Sequence, residues 1–317
     1  MKELSFIIFI FLLCSCARDR NSDKQDPRPN VLIILVDDLG KEWISAYGAG
    51  DISTPNIDEL VRGGLMFNKV YSMPQCTPTR VTLLTGQYPF RHGWVNHWDV
   101  PRWGGQAHFD ESMNPSLGLE MQKAGYATCV AGKWQIDDFR VEPDALSRNG
   151  FDAWCMWTGY ETGVEESAER YQDPYIYTRE GSRIYPGQFG PDIFKDFIIN
   201  FIHEHKDGPM FIYYPMVLTH TPLVNTPLES APDNLGKHKA MVRYADLITG
   251  DIVRALKDAE VIDNTVLIWT TDNGTTRGIS GNRNGILVEG GKAKTSEPGI
   301  CAPFIVSWPG KIAPGKV

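Results

Sequence analysis

From residue 30 onwards, the sequence alternates apolar, strand-like runs with stretches of helical character. The apolar runs lie at 30–40, 126–134, 210–222, 264–274 and 302–310. The helix-like stretches between them lie at 55–62, 115–124, 191–205 and 239–259, and in the last of these the apolar residues recur every three or four positions. Strands that alternate with helices are typical of βαβ units. We therefore predict an α/β fold with a large, mostly parallel central sheet and helices on both faces.

Each of the first four apolar runs ends in unusual polar residues. These are the pair Asp37-Asp38, then Lys133, then His220, and finally the pair Asp272-Asn273. In an open parallel sheet, ligands bind beyond the carboxyl ends of the strands. We therefore expect three carboxylates, an amide, a lysine and a histidine to meet in one crevice.

The oxygen-bearing side chains in this set predict a metal site. Asp37, Asp38, Asp272 and Asn273 offer only hard oxygen ligands, which favour calcium, or less strongly magnesium, over zinc. Three carboxylates in a partly dry cleft also require a nearby cation. Asp, Asn and Gly are common turn residues as well, so either motif alone is equally well explained by a turn after a strand. The presence of both motifs, each after a long apolar strand, favours the metal.

The stretch QCTPTRVTLLTG, residues 75–86, places a cysteine just before a predicted helix. Pro78 suits the first turn of that helix, and Gly86 followed by Pro89 marks its end. Cys76 would then lie at or near the helix N-cap, where free N–H groups favour an anion and lower the pKa of a thiol. Arg80, four residues later, would lie on the same helix face. The alternative is a buried structural cysteine beside a surface arginine.

These motifs together resemble those of the type I sulfatases, in the alkaline-phosphatase superfamily. The segment CTPTR at 76–80, followed by Thr85-Gly86, resembles the family signature. Asp37-Asp38 and Asp272-Asn273 resemble its two calcium-binding pairs. AGKW at 131–134, THTP at 219–222 and the glycine-rich stretch 290–303 resemble segments that carry a lysine, a histidine and a second lysine. The resemblance covers about residues 30–310, with the motifs in the family's order.

The resemblance implies a role for each residue of the site. A maturation enzyme would convert Cys76 to formylglycine, whose hydrated aldehyde would be both the nucleophile and a calcium ligand. Asp272 would deprotonate that nucleophile, and His220 would protonate the leaving alcohol. One calcium ion would be held by Asp37, Asp38, Asp272 and Asn273. Together with it, the sulfate charge would be neutralised by three cationic side chains, namely Arg80, Lys133 and Lys292.

The chain departs from the family pattern at two positions near these motifs. Gln135 follows Trp134 where many members have a histidine. Glutamine can hydrogen-bond but is neither a base nor a cation, so we expect Gln135 to position the nucleophile. Cys301 stands where an arginine is common, which would remove a structural charge partner for Glu297.

The N-terminal residues and the extent of the resemblance together divide the chain into three regions. Residues 1–15 would be a signal peptide, residues 16–29 a polar tether, and residues 30–317 the sulfatase catalytic domain. Family members continue beyond the position of Val317 into more of the main sheet and a smaller C-terminal subdomain. We therefore expect the C-terminal subdomain to be missing from this sequence.

The N-terminus predicts an exported lipoprotein. A short apolar run ends in Leu13-Cys14-Ser15-Cys16. The run is too short to span a bilayer as a mature helix, and its length is typical of a signal-peptide core. The tetrapeptide resembles a bacterial lipobox, with Cys16 as the lipidated first residue. The alternative is an ordinary signal peptide. We expect a protein of the periplasm or cell surface, attached to the membrane only through its lipid.

One disulfide among Cys129, Cys155 and Cys301 would be compatible with export, but spacing does not select a pair.

Charge and aromatic content bear on the partners. The net charge of −8 argues against a nucleic-acid ligand bound by phosphate neutralisation. Segments 91–113 and 155–190 are rich in aromatic and polar residues, including His97 and Asp99, and either stack on sugars or pack loops. We expect a sulfated glycan or oligosaccharide as substrate. The alternatives are a phosphonate monoester hydrolase or phosphodiesterase of the same superfamily, or a truncated, non-catalytic glycan-binding surface protein.

Overall fold

The computed structural model of the protein describes residues 28–96, 109–159, 161 and 163–317. The predicted signal peptide, Cys16 and nearly all of the tether lie outside these residues, as do His97 and Asp99. The strands are β1 Asn30–Val36, β2 Leu65–Tyr71, β3 Ala127–Lys133, β4 Ala153–Trp157, β5 Tyr175–Thr178, β6 Gly181–Ile184, β7 Met210–Pro215, β8 Thr265–Thr271, β9 Ser280–Arg283, β10 Ile286–Glu289 and β11 Cys301–Ser307. The helices are α1 Pro55–Arg62, α2 Cys76–Thr85, α3 Pro89–His92, α4 Leu117–Lys123, α5 Ala145–Arg148, α6 Gly190–His205, α7 Asn234–Asp258 and α8 Glu297–Ile300.

Among the described residues, nine strands form one sheet with the order β2-β11-β8-β1-β7-β3-β4-β5-β6, which lies at the centre of the fold. The strands from β8 through β1, β7 and β3 to β4 are parallel. The strands beyond them, β11 and β2 at one edge and β5 and β6 at the other, pair antiparallel. All five predicted strands are present, but the last of them, β11, runs antiparallel to β8. The parallel centre places the carboxyl ends of β8, β1, β7 and β3 side by side.

Helices pack on both faces of the sheet, as predicted. Along β1, Leu32, Ile34 and Val36 face one apolar core, whereas Ile33 and Leu35 face the other, because successive side chains of a strand point to opposite faces. The first core includes residues of α1, α6 and α7, and the second includes residues of α2, α4 and α5. Each fully buried aliphatic side chain contributes roughly 1.5–3 kcal/mol to stability, so both layers hold the sheet in place.

The main predicted helices are confirmed, with small shifts at their ends. Helix α1 has the predicted bounds, and its first backbone N–H groups are capped from α7, since Asp246 accepts hydrogen bonds from the N–H groups of Asn56 and Ile57. Helix α7 begins five residues before the predicted start. The reason is that Asp233 caps it by accepting a hydrogen bond of 2.7 Å from the N–H of Gly236, a standard N-cap contact.

The four cysteines in the described part of the chain are all free thiols, and Cys76, Cys129 and Cys155 are buried. The disulfide left open by the sequence is therefore not formed among Cys129, Cys155 and Cys301. Within the described ranges, no helix combines the length and the apolar character needed to cross a bilayer.

Candidate active site

The polar strand ends predicted to meet do so at the carboxyl edge of the sheet. The Nζ of Lys133, at the end of β3, lies 2.5 Å from Oδ2 of Asp37, which follows β1. The Nε2 of His220, after β7, lies 3.8 Å from Oδ2 of Asp38. The N–H of Asp38 donates to Oδ1 of Asp272, after β8, over 3.1 Å. One crevice therefore holds all four strand ends.

Backbone hydrogen bonds beyond the strands fix this arrangement. The N–H of Asp37 donates to the carbonyl of Leu218, and the N–H of Thr219 donates to the carbonyl of Asp37. The N–H of Asp272 donates to the carbonyl of Val36. Asp38 adopts a left-handed φ of 58°, which turns the chain away immediately after β1. The ends of β1, β7 and β8 are thus tied together, so the carboxylates cannot move independently of the sheet.

A glycine in β3 allows Lys133 to reach the crevice. Gly132 has a φ of 115°, and a Cβ atom there would collide with the carbonyl oxygen of Pro215 on the neighbouring β7. Only glycine combines this conformation with so close an approach. The AGKW segment therefore needs its glycine for backbone geometry and its lysine for charge.

Cys76 is the first residue of α2, and its side chain is fully buried among the carboxylates. Its Sγ lies 3.4 Å from Oδ1 of Asp37 and 3.9 Å from Oδ1 of Asp38. Burial raises the pKa of the Cys76 thiol, and the charges of Asp272 and Asp37 raise it further. The prediction that the helix N-terminus lowers this pKa was wrong, because burial and two anions outweigh the helix dipole. An unmodified Cys76 is therefore a neutral thiol at pH 7.

Arg80 lies one helical turn after Cys76 and is also fully buried. Its Nη2 lies 2.7 Å from Oδ2 of Asp272 and 3.6 Å from Oδ2 of Asp37. Its Nη1 donates to the carbonyl of Lys133 over 2.8 Å. Arg80 thus links three of the strand ends and neutralises carboxylate charge from within the protein.

Lys292 comes from the glycine-rich segment after β10 and is the second lysine of the site. Its Nζ lies 2.7 Å from Oδ2 of Asp38. Its N–H donates to the carbonyl of Thr275, and the N–H of Ala293 donates to the carbonyl of Pro74. The segment is therefore tied both to the loop after β8 and to the loop that precedes α2.

The oxygen atoms of the site fit a hard cation. The candidate ligand atoms of Asp37, Asp38, Cys76 and His220 lie within 4.8 Å of one another. The amide of Asn273 donates to Oδ1 of Asp38 over 2.7 Å, while its own Oδ1 is buried without a hydrogen-bond partner among the described residues. A buried acceptor without a donor is costly unless a cation or water faces it. The donor set of carboxylate and amide oxygens suits calcium or magnesium.

The three carboxylates differ in their protonation behaviour. Burial alone would raise the pKa of Asp37, but Lys133 and other nearby cations outweigh it and hold that pKa well below its usual range. Burial raises the pKa of Asp272 to about 7, and the charge of Asp37 adds to the rise. Burial and Asp37 also raise the pKa of Asp38. Asp37 therefore keeps its charge, whereas burial favours the protonated form of Asp272, and a bound cation would lower the pKa of Asp272 again.

His220 is held in one orientation at the edge of the crevice. Its Nδ1 lies 2.6 Å from the carbonyl oxygen of Thr221. Burial lowers the pKa of His220 well below its ordinary value, and Lys133 lowers it further, while Asp37 acts in the opposite direction. A negatively charged ligand beside the ring would also raise this pKa. In this structure the ring is the neutral Nδ1–H tautomer, because a carbonyl can only accept.

Gln135 and Cys301 occupy the positions where the chain departs from the resembled pattern. Gln135 is buried with a left-handed φ of 56°, and its carbonyl accepts a hydrogen bond of 3.2 Å from Oγ1 of Thr77, next to Cys76. Near Cys301, the Nζ of Lys41 lies 2.9 Å from Sγ. Glu297 is exposed to solvent. A cation from another part of the chain thus lies beside Cys301, and Glu297 needs no buried partner.

Three residues near the site escaped the sequence reasoning. Trp157 ends β4, and the guanidinium carbon of Arg170 lies 4.0 Å from the centre of its indole ring. The hydroxyl of Tyr171 lies 2.6 Å from the carbonyl oxygen of His220. A sequence signal for Trp157 did exist, because it ends β4, the fifth strand of the parallel part of the sheet. In the sequence, that segment was described only by its aromatic and polar content. Arg170 and Tyr171 belong to a loop with no motif, so no sequence signal indicated them.

Comparison with known proteins finds similarity to sulfatases over most of the chain. The family model described as Sulfatase matches residues 29–317. The chain is 30% identical to human N-acetylgalactosamine-6-sulfatase over 311 residues, covering 91% of this chain and 58% of that protein. It is 28% identical to N-acetylgalactosamine-6-O-sulfatase of Bacteroides thetaiotaomicron, covering 97% of this chain and 73% of that protein. The chain thus spans little more than half the length of the human relative.

The fold is also similar to that of solved structures. Ps i-CgsB, crystallised in complex with k-i-k-neocarrahexaose, superimposes with a TM-score of 0.77 and 25% sequence identity. The alignment covers 91% of this chain and 68% of that one.

Proposed function

Because the chain belongs to the sulfatase family, we propose that it hydrolyses sulfate esters of an external glycan or oligosaccharide. The observation that carries this proposal is the position of Cys76, whose Sγ lies 3.4 and 3.9 Å from carboxylate oxygens of Asp37 and Asp38. Lys133 and Lys292 are paired with the same two carboxylates. A nucleophile built at this position would lie beside two cations that can bind a sulfate group. The carbohydrate named in the two relatives and in the Ps i-CgsB complex supports the substrate class.

We propose further that Cys76 acts after conversion to formylglycine. The neutral, buried thiol is a poor nucleophile, since the thiolate is the reactive form. The hydrated aldehyde supplies two hydroxyls on one carbon, of which one takes up the sulfuryl group and the other allows sulfate to be expelled. Asp272, whose charge acts on Cys76 across the crevice, is the side chain that we assign to take a proton from the attacking hydroxyl. A maturation enzyme is therefore an expected partner.

The cations of the site would hold the ester and stabilise the charge that develops on it. Fixed positive groups contribute most where they need not reorganise during the reaction. Lys133 and Lys292 each contact one carboxylate oxygen and would bind the sulfate oxygens, whereas Arg80 is held between Asp272, Asp37 and the Lys133 carbonyl. Arg80 therefore keeps the carboxylates in place while the lysines bind the substrate.

Calcium would be held by Asp37, Asp38, Asp272, Asn273 and the modified Cys76. When bound, the ion would supply positive charge to the sulfate oxygens and to the nucleophile. The Oδ1 of Asn273, for which the described part of the chain offers no hydrogen-bond partner, supports this assignment, as does the all-oxygen character of the proposed donor set. Magnesium is the less suitable ion because it demands a stricter octahedral geometry.

His220 would donate a proton to the leaving oxygen. As the S–O bond breaks, its electron pair stays on the sugar oxygen, which must be protonated because an alkoxide is a poor leaving group. The donating form of the ring carries protons on both nitrogens, with Nδ1–H bonded to the Thr221 carbonyl and Nε2–H facing the crevice. After donation the ring is the neutral Nδ1–H tautomer, which suits the contact between Nδ1 and the Thr221 carbonyl.

The N-terminal segment supports a proposal about location. We propose that the protein is an exported bacterial lipoprotein, anchored through Cys16 at the periplasmic or cell-surface side of a membrane. The argument is the short apolar run that ends in Leu13-Cys14-Ser15-Cys16.

To test the proposed activity, the protein is co-expressed with a formylglycine-generating enzyme and purified. Release of inorganic sulfate should be measured on N-acetylgalactosamine 6-sulfate, sulfated oligosaccharides and 4-nitrophenyl sulfate. Phosphate monoesters, phosphate diesters and phosphonate monoesters of the same phenol form the comparison set. We expect turnover of the sulfate esters to exceed that of the phosphorus esters. Faster turnover of phosphodiesters or phosphonates would favour the other hydrolase, and glycan binding without turnover by matured protein would favour a binding protein.

A further inference from the structure

Arg170 lies in the loop between β4 and β5 and makes two contacts that connect it to the site. Its guanidinium carbon lies 4.0 Å from the centre of the Trp157 indole, within cation–π distance. Its Nη2 donates to the carbonyl oxygen of Thr221 over 2.8 Å. The indole N–H of Trp157 in turn donates to the carbonyl of Ser167 over 2.9 Å. The ring on which Arg170 stacks is therefore itself fixed.

The Thr221 carbonyl has two donors, and the second is the imidazole of His220. The Nδ1 of His220 lies 2.6 Å from the same oxygen that Arg170 contacts. This bond determines which nitrogen faces the crevice, where Nε2 lies 3.8 Å from Oδ2 of Asp38. Such a contact sets the tautomer and the orientation of a histidine. The position of the Thr221 carbonyl therefore determines where Nε2 points.

Arg170 makes few other contacts that could explain its presence. Its Nε and Nη1 are buried without a hydrogen-bond partner among the described residues. No carboxylate of the described chain pairs with it. The guanidinium is thus held by the Trp157 face, by the Tyr171 ring, whose centre lies 5.7 Å from the guanidinium carbon, and by its bond to Thr221. A charged donor makes that bond stronger than a neutral one. The neighbouring Tyr171 holds the same segment through the carbonyls of Val217 and His220.

We propose that Arg170 is a positioning residue for the proton donor His220. Stacked on Trp157, it fixes the Thr221 carbonyl that holds Nδ1–H, and Nε2 is thereby aimed at the ester oxygen. This inference rests on the proposed function, since it assigns a partner to one of its catalytic residues. In this role Arg170 acts through His220 and not on the reacting atoms.

The role predicts a dependence on the leaving group. A sugar hydroxyl leaves only if it is protonated, whereas 4-nitrophenolate leaves readily without a proton. Loss of orientation at His220 should therefore slow sugar-sulfate hydrolysis and leave aryl-sulfate hydrolysis almost unchanged. Misplacement of a catalytic group by about 1 Å can cost about 100-fold in rate.

The test compares Arg170→Met with Arg170→Lys and with Arg179→Met in matured full-length chain. Arg179 is a matched control because it also stacks on a tryptophan, with its guanidinium carbon 5.1 Å from the Trp154 ring, and lies in the β5–β6 turn. We expect Arg170→Met to lower kcat on N-acetylgalactosamine 6-sulfate by roughly 10- to 100-fold with little change in KM. On 4-nitrophenyl sulfate the loss should be below about threefold. Arg170→Lys should recover most of the loss, and Arg179→Met should match the wild type on both substrates.

A double-mutant cycle isolates the link to His220. In a His220→Ala background, Arg170→Met should have little further effect on the sugar sulfate, because the group it positions is gone. Additive losses would overturn the proposal. So would equal losses on both substrates, or a rise in KM alone, which would make Arg170 a binding residue for the substrate.

A spectroscopic measurement keeps this inference separate from the proposed function. In ¹⁵N spectra of histidine-labelled protein, His220 should be the Nδ1–H tautomer in the wild type and in Arg179→Met, and a mixture of tautomers in Arg170→Met. An unchanged Nδ1–H signal in Arg170→Met would refute the positioning role whether or not the protein turns over sulfate. Absence of sulfate release from matured wild type would instead contradict the proposed function.

Discussion

The Sγ of Cys76 lies 3.4 Å from Oδ1 of Asp37, and Oδ2 of the same carboxylate lies 2.5 Å from the Nζ of Lys133. Asp37 therefore connects the residue at the start of α2 to a cation at the end of β3. A buried thiol beside an anion stays protonated and is a poor nucleophile. A hydroxyl at the same position would be an oxygen ligand like its neighbours and would suit the hard cation proposed for this site. This relationship makes the chemical state of Cys76 the first point to test.

Active preparations should carry formylglycine at position 76. Peptide mass spectrometry should show an aldehyde in place of the thiol, and activity should rise in proportion to the converted fraction when a maturation enzyme is co-expressed. Cys76→Ser should keep its fold and lose turnover in a host that does not convert serine, because a serine sulfate ester has no second hydroxyl to expel sulfate. Sustained turnover by protein that carries only unmodified Cys76 would rule this mechanism out.

The oxygen cluster should bind one calcium ion per chain. Asp272→Asn should abolish measurable metal content by mass spectrometry and lower kcat by about 100-fold or more, since the ion and the carboxylate both act on the developing charge. Calcium at about 100 times its Kd should stabilise the wild type by about 2.7 kcal/mol and leave Asp272→Asn unchanged. Asp263→Asn is the control, because Asp263 is an exposed residue just before the opposite end of β8. Full activity after exhaustive chelation would contradict the metal site.

Gln135 should position the nucleophile and should not transfer a proton. Gln135→Ala is expected to reduce kcat by less than about tenfold, whereas His220→Ala should cost about 100- to 10,000-fold on a sugar sulfate. Steady-state kinetics of the two matured variants on one substrate decide the matter. Greater damage in Gln135→Ala than in His220→Ala would reverse the two roles.

His238 should make stability fall in mild acid. Burial beside Trp43 lowers the pKa of His238 to about 3, whereas in the unfolded chain it is about 6.5. Below pH 6.5 the unfolded state binds the extra proton, so stability falls as pH decreases. The loss from this group is about 2 kcal/mol between pH 7 and pH 5.

The test for His238 is denaturant unfolding of the wild type and His238→Leu at pH 7 and pH 5. The pH dependence should be about 2 kcal/mol smaller in the variant. His203→Leu, at an exposed position on α6, should behave as the wild type. An equal pH dependence in wild type and His238→Leu would show that His238 is not buried in its neutral form.

Cys16 should be the lipidated residue of the mature protein. Expression in a bacterium with labelled fatty acid should label the wild type and Cys14→Ala, since residue 14 would be removed with the signal peptide. Cys16→Ala should remain unlabelled. Equal labelling of Cys16→Ala would refute the lipobox interpretation.

The sequence alone predicted the strands that build the site. Buried parallel strands are apolar along their length, so the polar residues that follow them stand out, and Asp37, Lys133, His220 and Asp272 were each found in this way. Helix α1 was predicted with its observed bounds, Pro55–Arg62. These features depend on neighbours within a few residues, which a sequence displays directly.

The tertiary structure alone decided how those residues act on one another. The pKa of Cys76 was predicted with the wrong sign because the favourable helix-terminus term is about 0.3–1 kcal/mol, whereas burying a charge costs several kcal/mol. The burial and the two carboxylates come from segments far away in the chain. Arg170 and Asp246 were missed for the same reason, since their partners Thr221 and Asn56 lie 51 and 190 residues away. Local patterns determine which residues form strands and helices, but charge and orientation in a buried site depend on distances that only the folded chain sets.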